Sequence, residues 1–225
     1  MAQSSSPAEL LGPLNEVERK HAPAALFHAG DVALLKQRRV AVVGSRSTSE
    51  DGLRRAARLA RELVAAEVVV VSGLAEGIDT AAHRAAITAG GRTIAVLGNP
   101  LSTFYPRQNR ELQETIAREH LLLSQFTDGV PPRKDNFPMR NRTMALVSQA
   151  TVIVDAQERS GTVSQGWEAI RLGRPLYLLR SLAENAALQW PGLMLQYGAE
   201  VLDDVAALVA DLPPRVEPEL AEVAF

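Results

Sequence analysis

An open, mostly parallel α/β sheet with helices on both faces is the fold this sequence predicts, and three observations predict it. Short, almost continuously apolar runs such as Val40-Ala41-Val42-Val43 and Thr151-Val152-Ile153-Val154 recur along the chain, as expected of parallel strands covered on both sides. Stretches of helical periodicity separate them. The runs end in turns rich in glycine and serine, among them Gly44-Ser45-Arg46, Ser72-Gly73 and Gly98-Asn99-Pro100, where a strand hands over to a helix.

Taken in order, residues 1–22 read as a mobile lead-in, and Ala24-Ala25-Leu26-Phe27 packs on the domain that follows. The first strong strand is 40–43. A helix at 50–66 leads to a strand at 68–71, a helix at 78–89 to a strand at 93–97, and a helix at 109–119 to a strand at 121–123. A short helix after Asn141 precedes the strand at 151–154, a helix at 163–172 precedes the strand at 175–179, and 202–212 forms a final packing helix. This is βαβ punctuation with six parallel strands. Right-handed crossovers bring the C-terminal strand ends to one edge, where open sheets bind ligands. Without a repeat or low-complexity linker, residues 23–212 make one domain, followed at 213–225 by an acidic tail.

Composition narrows the function. The 225 residues include no cysteine, which removes disulfides, thiolate catalysis and Cys-based metal sites; no metal and no cofactor are expected. The N-terminus lacks a basic start followed by an apolar run, and no later segment approaches the ~20 apolar residues of a membrane span. A cytoplasmic protein with no membrane partner follows. The net charge of −2 argues against coating nucleic acid through a global field, but a local patch can still meet phosphates.

In Gly44-Ser45-Arg46 the glycine lets the backbone turn tightly, the serine and the helix start offer hydrogen bonds to an anion, and Arg46 supplies a bidentate phosphate fork. The same tripeptide also suits an ordinary capped turn with a solvated arginine. It is neither GxGxxG nor GxxxxGK[ST], so dinucleotide binding and a Walker-type ATPase find no support. In Ser72-Gly73-Leu74-Ala75-Glu76-Gly77 two glycines frame a turn, and Asp79 and His83 follow on one helical face. A cap and a packed histidine fit them better than an acid/base pair, because no nucleophile or metal-ligand set accompanies them. Tyr105 can stack on a base and Arg107 can reach phosphate, or both can serve packing and solvation. Arg133, Lys134, Arg140 and Arg142 surround Phe137, a combination that can grip backbone phosphates and support a base; a solvated basic loop is the alternative. Ser160 and Gly161 can seat a phosphate or ribose, or cap the next helix.

Together these segments resemble the bacterial DNA-processing protein A family, also called DprA or Smf, in its short form covering mainly the Rossmann-like domain. The resemblance runs from about residue 24 to 202 and rests on Val40–Arg46, Ser72–His83, Thr93–Leu97, Tyr105-Pro106, Asn109, Phe137–Arg142 and Ser160-Gly161 in that order. It implies an extended Rossmann-like domain that binds single-stranded DNA as a homodimer, protects it, and helps load a RecA-type recombinase during natural transformation. It also implies that Arg46, Ser72, Gly73, Gly77, Phe137, Arg140 and Arg142 line a basic pocket, with Lys134 beside them as a phosphate contact and no catalytic residue. Ser124-Gln125-Phe126 and Arg180-Ser181 depart from the family pattern. The alternative is a nucleotide sensor or a phosphoribohydrolase resembling the LOG group and using the same strand-end pocket; it would need Glu168, or second Asp155, to position water near a ribose.

Overall fold

The structure, a computed structural model, describes residues 3–131 and 133–213. The acidic tail from residue 214 onward lies outside the described residues. In chain order the elements are β1 (Gln3–Ser5), α1 (Pro7–Leu11), α2 (Glu16–His21), β2 (Leu26–Gly30), β3 (Arg39–Gly44), α3 (Glu50–Ala65), β4 (Val69–Ser72), α4 (Ile78–Thr88), β5 (Thr93–Leu97), α5 (Arg110–Glu119), β6 (Leu121–Ser124), α6 (Asn136–Val147), β7 (Ala150–Asp155), α7 (Gly161–Arg171), β8 (Leu176–Leu179), α8 (Arg180–Ala183), α9 (Trp190–Gln196), β9 (Glu200–Leu202) and α10 (Val205–Asp211).

Among the described residues nine strands form one sheet in the order β1-β2-β6-β5-β4-β3-β7-β8-β9. Every pairing from β6 to β9 is parallel, whereas β2 runs antiparallel to β6 and β1 antiparallel to β2. Period-two alternation splits the valine runs between two cores. Ala41, Val43, Val69, Val71 and Ile153 join one, with Met144 and Val147 of α6 and Met194 of α9. Val40, Val42, Val70, Val152 and Val154 join the other, with Ala56, Leu59, Ala60 and Leu63 of α3 and Ile78 and Ala82 of α4. Both faces are therefore apolar, which is why these strands read as unbroken hydrophobic runs. The α3 residues recur at the i, i+3, i+4, i+7 spacing of one helical face, and Ser49 begins that helix by accepting the Gly52 amide.

Strand order reverses at β3, whose neighbours are β4 on one side and β7 on the other. That reversal leaves a crevice at the carboxyl ends of β3 and β7. The Ser45 amide donates to the Asp155 carbonyl at 2.8 Å, fixing the two exits side by side.

Four expectations are corrected. Residues 3–21 are no mobile lead-in: β1 extends the sheet edge, Leu10 and Leu11 pack on the core, and buried Glu18 pairs with Arg174. Among the described residues the parallel strands number seven rather than six because β9, three residues long, adds to β8; it is too short for its pattern to show. The last helix consequently starts at Val205. Helix α6 begins at Asn136, not after Asn141, so Phe137–Arg142 is helical rather than a loop. Pro138 is tolerated because first-turn amides have no intrahelical acceptor to lose.

Candidate nucleic-acid interface

Three strand-to-helix turns and the first turn of α6 enclose a cleft of about 610 Å³. Its walls include Gly44, Ser45, Arg46 and Ser47 after β3; Lys134, Phe137 and Arg140 on and before α6; and Arg159, Ser160, Gly161 and Gln165 after β7 and on α7. The second glycine turn props these walls from behind. Gly77 has φ +74° and precedes α4, and a Cβ there would fall 2.4 Å from the Ser45 carbonyl oxygen and 2.5 Å from that of Arg46. Only glycine adopts this conformation readily while allowing such close approach. Ser72 is fully buried and donates its hydroxyl to the Val42 carbonyl at 2.7 Å; it ties β4 to β3 and does not face the cleft.

Arg140 forms the floor. It is 5% exposed, and Nη1 donates to the carbonyls of Gly73 at 2.6 Å and Val96 at 3.0 Å, while Nε donates to Asn141 Oδ1 at 3.1 Å. Burial pushes its pKa down; the negative charge of Asp79 opposes that and the nearby cation Arg46 adds to it. Asp79, also buried, accepts the Gly73 and Ala75 amides at 3.2 and 3.4 Å. Desolvation raises its pKa, against the pull of Arg140 and of these hydrogen bonds. Arg140 is thus a structural brace beneath the cleft, tying α6 to the backbone at the ends of β4 and β5.

At the mouth, the exposed Arg46 guanidinium lies 4.8 Å from the Phe137 ring centroid. The Tyr105 ring has its centroid 5.7 Å from that of Phe137, tilted at 46°. Lys134 and Arg159 are exposed and line the same cleft. Asp79 is the lining carboxylate, and it faces Arg140, so the mouth is cationic with an aromatic platform. Around it, the Ser45 hydroxyl donates to the Ser47 carbonyl at 2.7 Å, Ser160 Oγ accepts the Thr162 amide at 3.2 Å as the cap of α7, and the Gly161 carbonyl accepts Asn141 Nδ2 at 3.1 Å.

The structure brings together Gly44, Ser45, Arg46, Lys134, Phe137, Arg140, Ser160 and Gly161. Ser72, Gly73 and Gly77 support them from behind. Arg142 does not line the cleft: two residues from Arg140 on a helix, it points about 200° away and pairs with Glu168 at 3.3 Å. Glu168 is also held by Arg171 at 3.0 Å, and Asp155 accepts a hydrogen bond from Thr48. Neither carboxylate lines the cleft. His83 is fully buried; Thr93 Oγ1 donates its one proton to the Val70 carbonyl, so the 2.6 Å contact is a donation from His83 Nδ1 to Thr93. Lining residues that the sequence reading does not single out include Arg159 and Gln165. Arg159 was detectable as a cation beside Ser160-Gly161, whereas nothing local distinguishes Gln165.

Among the described residues, no group of three or more His, Asp or Glu side chains is arranged to hold a metal, and no helix is long and apolar enough to cross a membrane. A doubly wound sheet with a cationic, aromatic-rimmed cleft at its switch point defines a Rossmann-like protein with a site complementary to phosphate. Residues 7–213 match the DNA recombination-mediator protein A family, and the chain belongs to it.

The chain is 38% identical over 190 residues to the DNA processing protein DprA of Streptococcus pneumoniae, covering 84% of this chain and 67% of that one. It is 35% identical over 191 residues to the Escherichia coli protein Smf, of which it spans 51%. The X-ray structure of the pneumococcal DprA superposes with a TM-score of 0.81 at 35% identity, over 95% of this chain and 75% of that one. A DNA processing protein A structure from Helicobacter pylori, which concerns that protein's single-stranded DNA binding mode, superposes with a TM-score of 0.75 at 27% identity, over 92% and 94%.

Proposed function

We propose that this chain binds single-stranded DNA in the strand-end cleft without strong sequence preference. The observation that carries the reading is the Arg46 guanidinium over the Phe137 ring at a mouth shared with Lys134 and Arg159. Cations track the phosphates, and a base stacks on the aromatic platform of Phe137 and Tyr105. The family membership and the single-stranded DNA binding of the H. pylori protein support the same reading. Duplex DNA keeps its bases stacked and presents no free ring to such a platform.

Binding requires no chemistry, and we assign none. The LOG-like phosphoribohydrolase alternative needs a carboxylate beside a bound ribose, but Glu168 is neutralised by two arginines and neither it nor Asp155 lines the cleft. Family membership supports the further proposals that the protein acts in the cytoplasm as a homodimer, protects single strands, and assists a RecA-type recombinase in recombination or DNA uptake.

Fluorescence anisotropy of a labelled single strand across a salt series, with duplex and mononucleotide competitors, tests the reading. The expected result is preference for the single strand and affinity that falls steeply with salt as phosphate contacts are screened. Equal competition by duplex, or mononucleotide turnover, would overturn it.

A further inference from the structure

We propose that Gln165 receives the hydrogen-bonding edge of a nucleobase inserted into the cleft, an inference that rests on the single-stranded DNA reading above. Gln165 lies on α7, lines the cleft beside Val43, Met144 and Thr162, and is 1% exposed. Both polar atoms of its amide, Oε1 and Nε2, are buried without a hydrogen-bond partner among the described residues.

The polar side chains lining the cleft beside it bond elsewhere and do not reach its amide. Asn141 accepts from Arg140 and donates to the Gly161 carbonyl, and Thr162 Oγ1 accepts from Ser160 Oγ. A buried amide with neither donor nor acceptor satisfied destabilises the chain that carries it. It becomes an asset when a ligand supplies the missing partners.

The chemistry of the amide restricts that ligand. A phosphate offers acceptors only and leaves Oε1 unpaired. A nucleobase edge presents a donor beside an acceptor, the arrangement that a glutamine amide pairs with in a bidentate manner. The amide can also turn over, exchanging its donor and acceptor ends, so bases presenting the pair in either order are accommodated. This suits a site with little sequence preference. Val43 and Met144, both buried and apolar, flank the entering ring, while Arg46, Lys134 and Arg159 remain at the mouth for the flanking phosphates.

The test compares the wild-type chain with Gln165→Met, which keeps the length and shape of the side chain and removes both hydrogen-bonding atoms. Each is titrated with a labelled oligothymidine and with an abasic deoxyribose-phosphate strand of equal length, and each is melted. The wild type is expected to prefer the thymidine strand, and that preference falls about tenfold in the variant. The melting temperature holds or rises, because no internal hydrogen bond is lost. An unchanged preference ratio in a binding-competent variant would overturn the role of Gln165 and leave DNA binding standing. A drop in melting temperature, repeated in Gln165→Leu, would show the amide bonded within the fold and would also overturn it. Failure of the wild-type chain to bind either strand would remove the DNA reading itself.

Discussion

Gly73 and Arg140 compete for a single volume: a Cβ built on Gly73 would lie 1.6 Å from Arg140 Nη1, the atom that donates to the Gly73 carbonyl at 2.6 Å. The glycine turn after β4 and the arginine of α6 are thus one device. The turn lacks a side chain so that a guanidinium can pass beneath the cleft and cross-link β4, β5 and α6.

Removing either part should therefore affect folding before binding. Gly73→Ala must displace the guanidinium from its carbonyl acceptors, at a cost of about 1–3 kcal/mol. Arg140→Ala leaves the Gly73 and Val96 carbonyls without their guanidinium donor and removes the cation that opposes the buried Asp79 charge, and should cost about 3 kcal/mol or more. Urea unfolding measures both, and wild-type stability in Arg140→Ala would disprove the brace.

Arg46→Ala should separate binding from stability. The side chain is exposed and its described partner is the Phe137 ring, a contact of about 0.5–1 kcal/mol. Unfolding should change by no more than that amount, whereas single-strand affinity falls and the slope of log affinity against log salt shrinks by about one phosphate contact. An unaltered slope would remove Arg46 from the phosphate path.

Arg142→Ala should weaken single-strand binding less than Arg46→Ala, although both arginines belong to recognisable family motifs. Arg142 is turned to Glu168, and its loss leaves that carboxylate paired with Arg171. Because Arg142 is 39% exposed, solvent screens the pair and about 1 kcal/mol of stability is the expected ceiling. Parallel anisotropy titrations of the two variants decide the order, and a larger loss in Arg142→Ala would reverse the placement of the site.

Acid should weaken the fold through His83. Burial, reinforced by the positive charges of His120 and Arg140, lowers its pKa from 6.5 to about 3. Between those values the unfolded chain holds the proton and the folded chain does not, so stability declines as pH falls through that window. The lowered values of His28 and His120 act in the same direction, and the raised value of Asp79 acts in the opposite one. His83→Gln isolates the contribution: its unfolding free energy should fall less steeply from pH 7 to pH 5 than the wild type's, by up to about 1.4 kcal/mol per pH unit. Parallel pH profiles would refute this.

Much of the fold was legible because its signals are local. Valine-rich runs buried on both faces fix β3, β4 and β7, and the four-residue rhythm of Ala56, Leu59, Ala60 and Leu63 fixes α3, whatever lies elsewhere in the chain. The strand-end turns likewise announced Arg46, Ser160 and Gly161. The weak elements escaped: β1 and β9 have three residues each and exist only because β2 and β8 offer edges.

What the sequence could not decide is which of its cations, carboxylates and amides are buried, because burial is set by the neighbours the fold assembles. Arg140 and Arg142 look alike as residues of one basic segment; α6 turns one beneath a glycine from β4 and the other toward a carboxylate on α7. Gln165 is an ordinary polar residue until packing encloses its amide and leaves both ends unpaired. By itself the sequence determined the layered α/β plan and the strand ends that carry the site. Tertiary structure alone decided which side chains brace that site and which face a ligand, since desolvation and hydrogen-bond satisfaction depend on contacts between residues far apart in the chain.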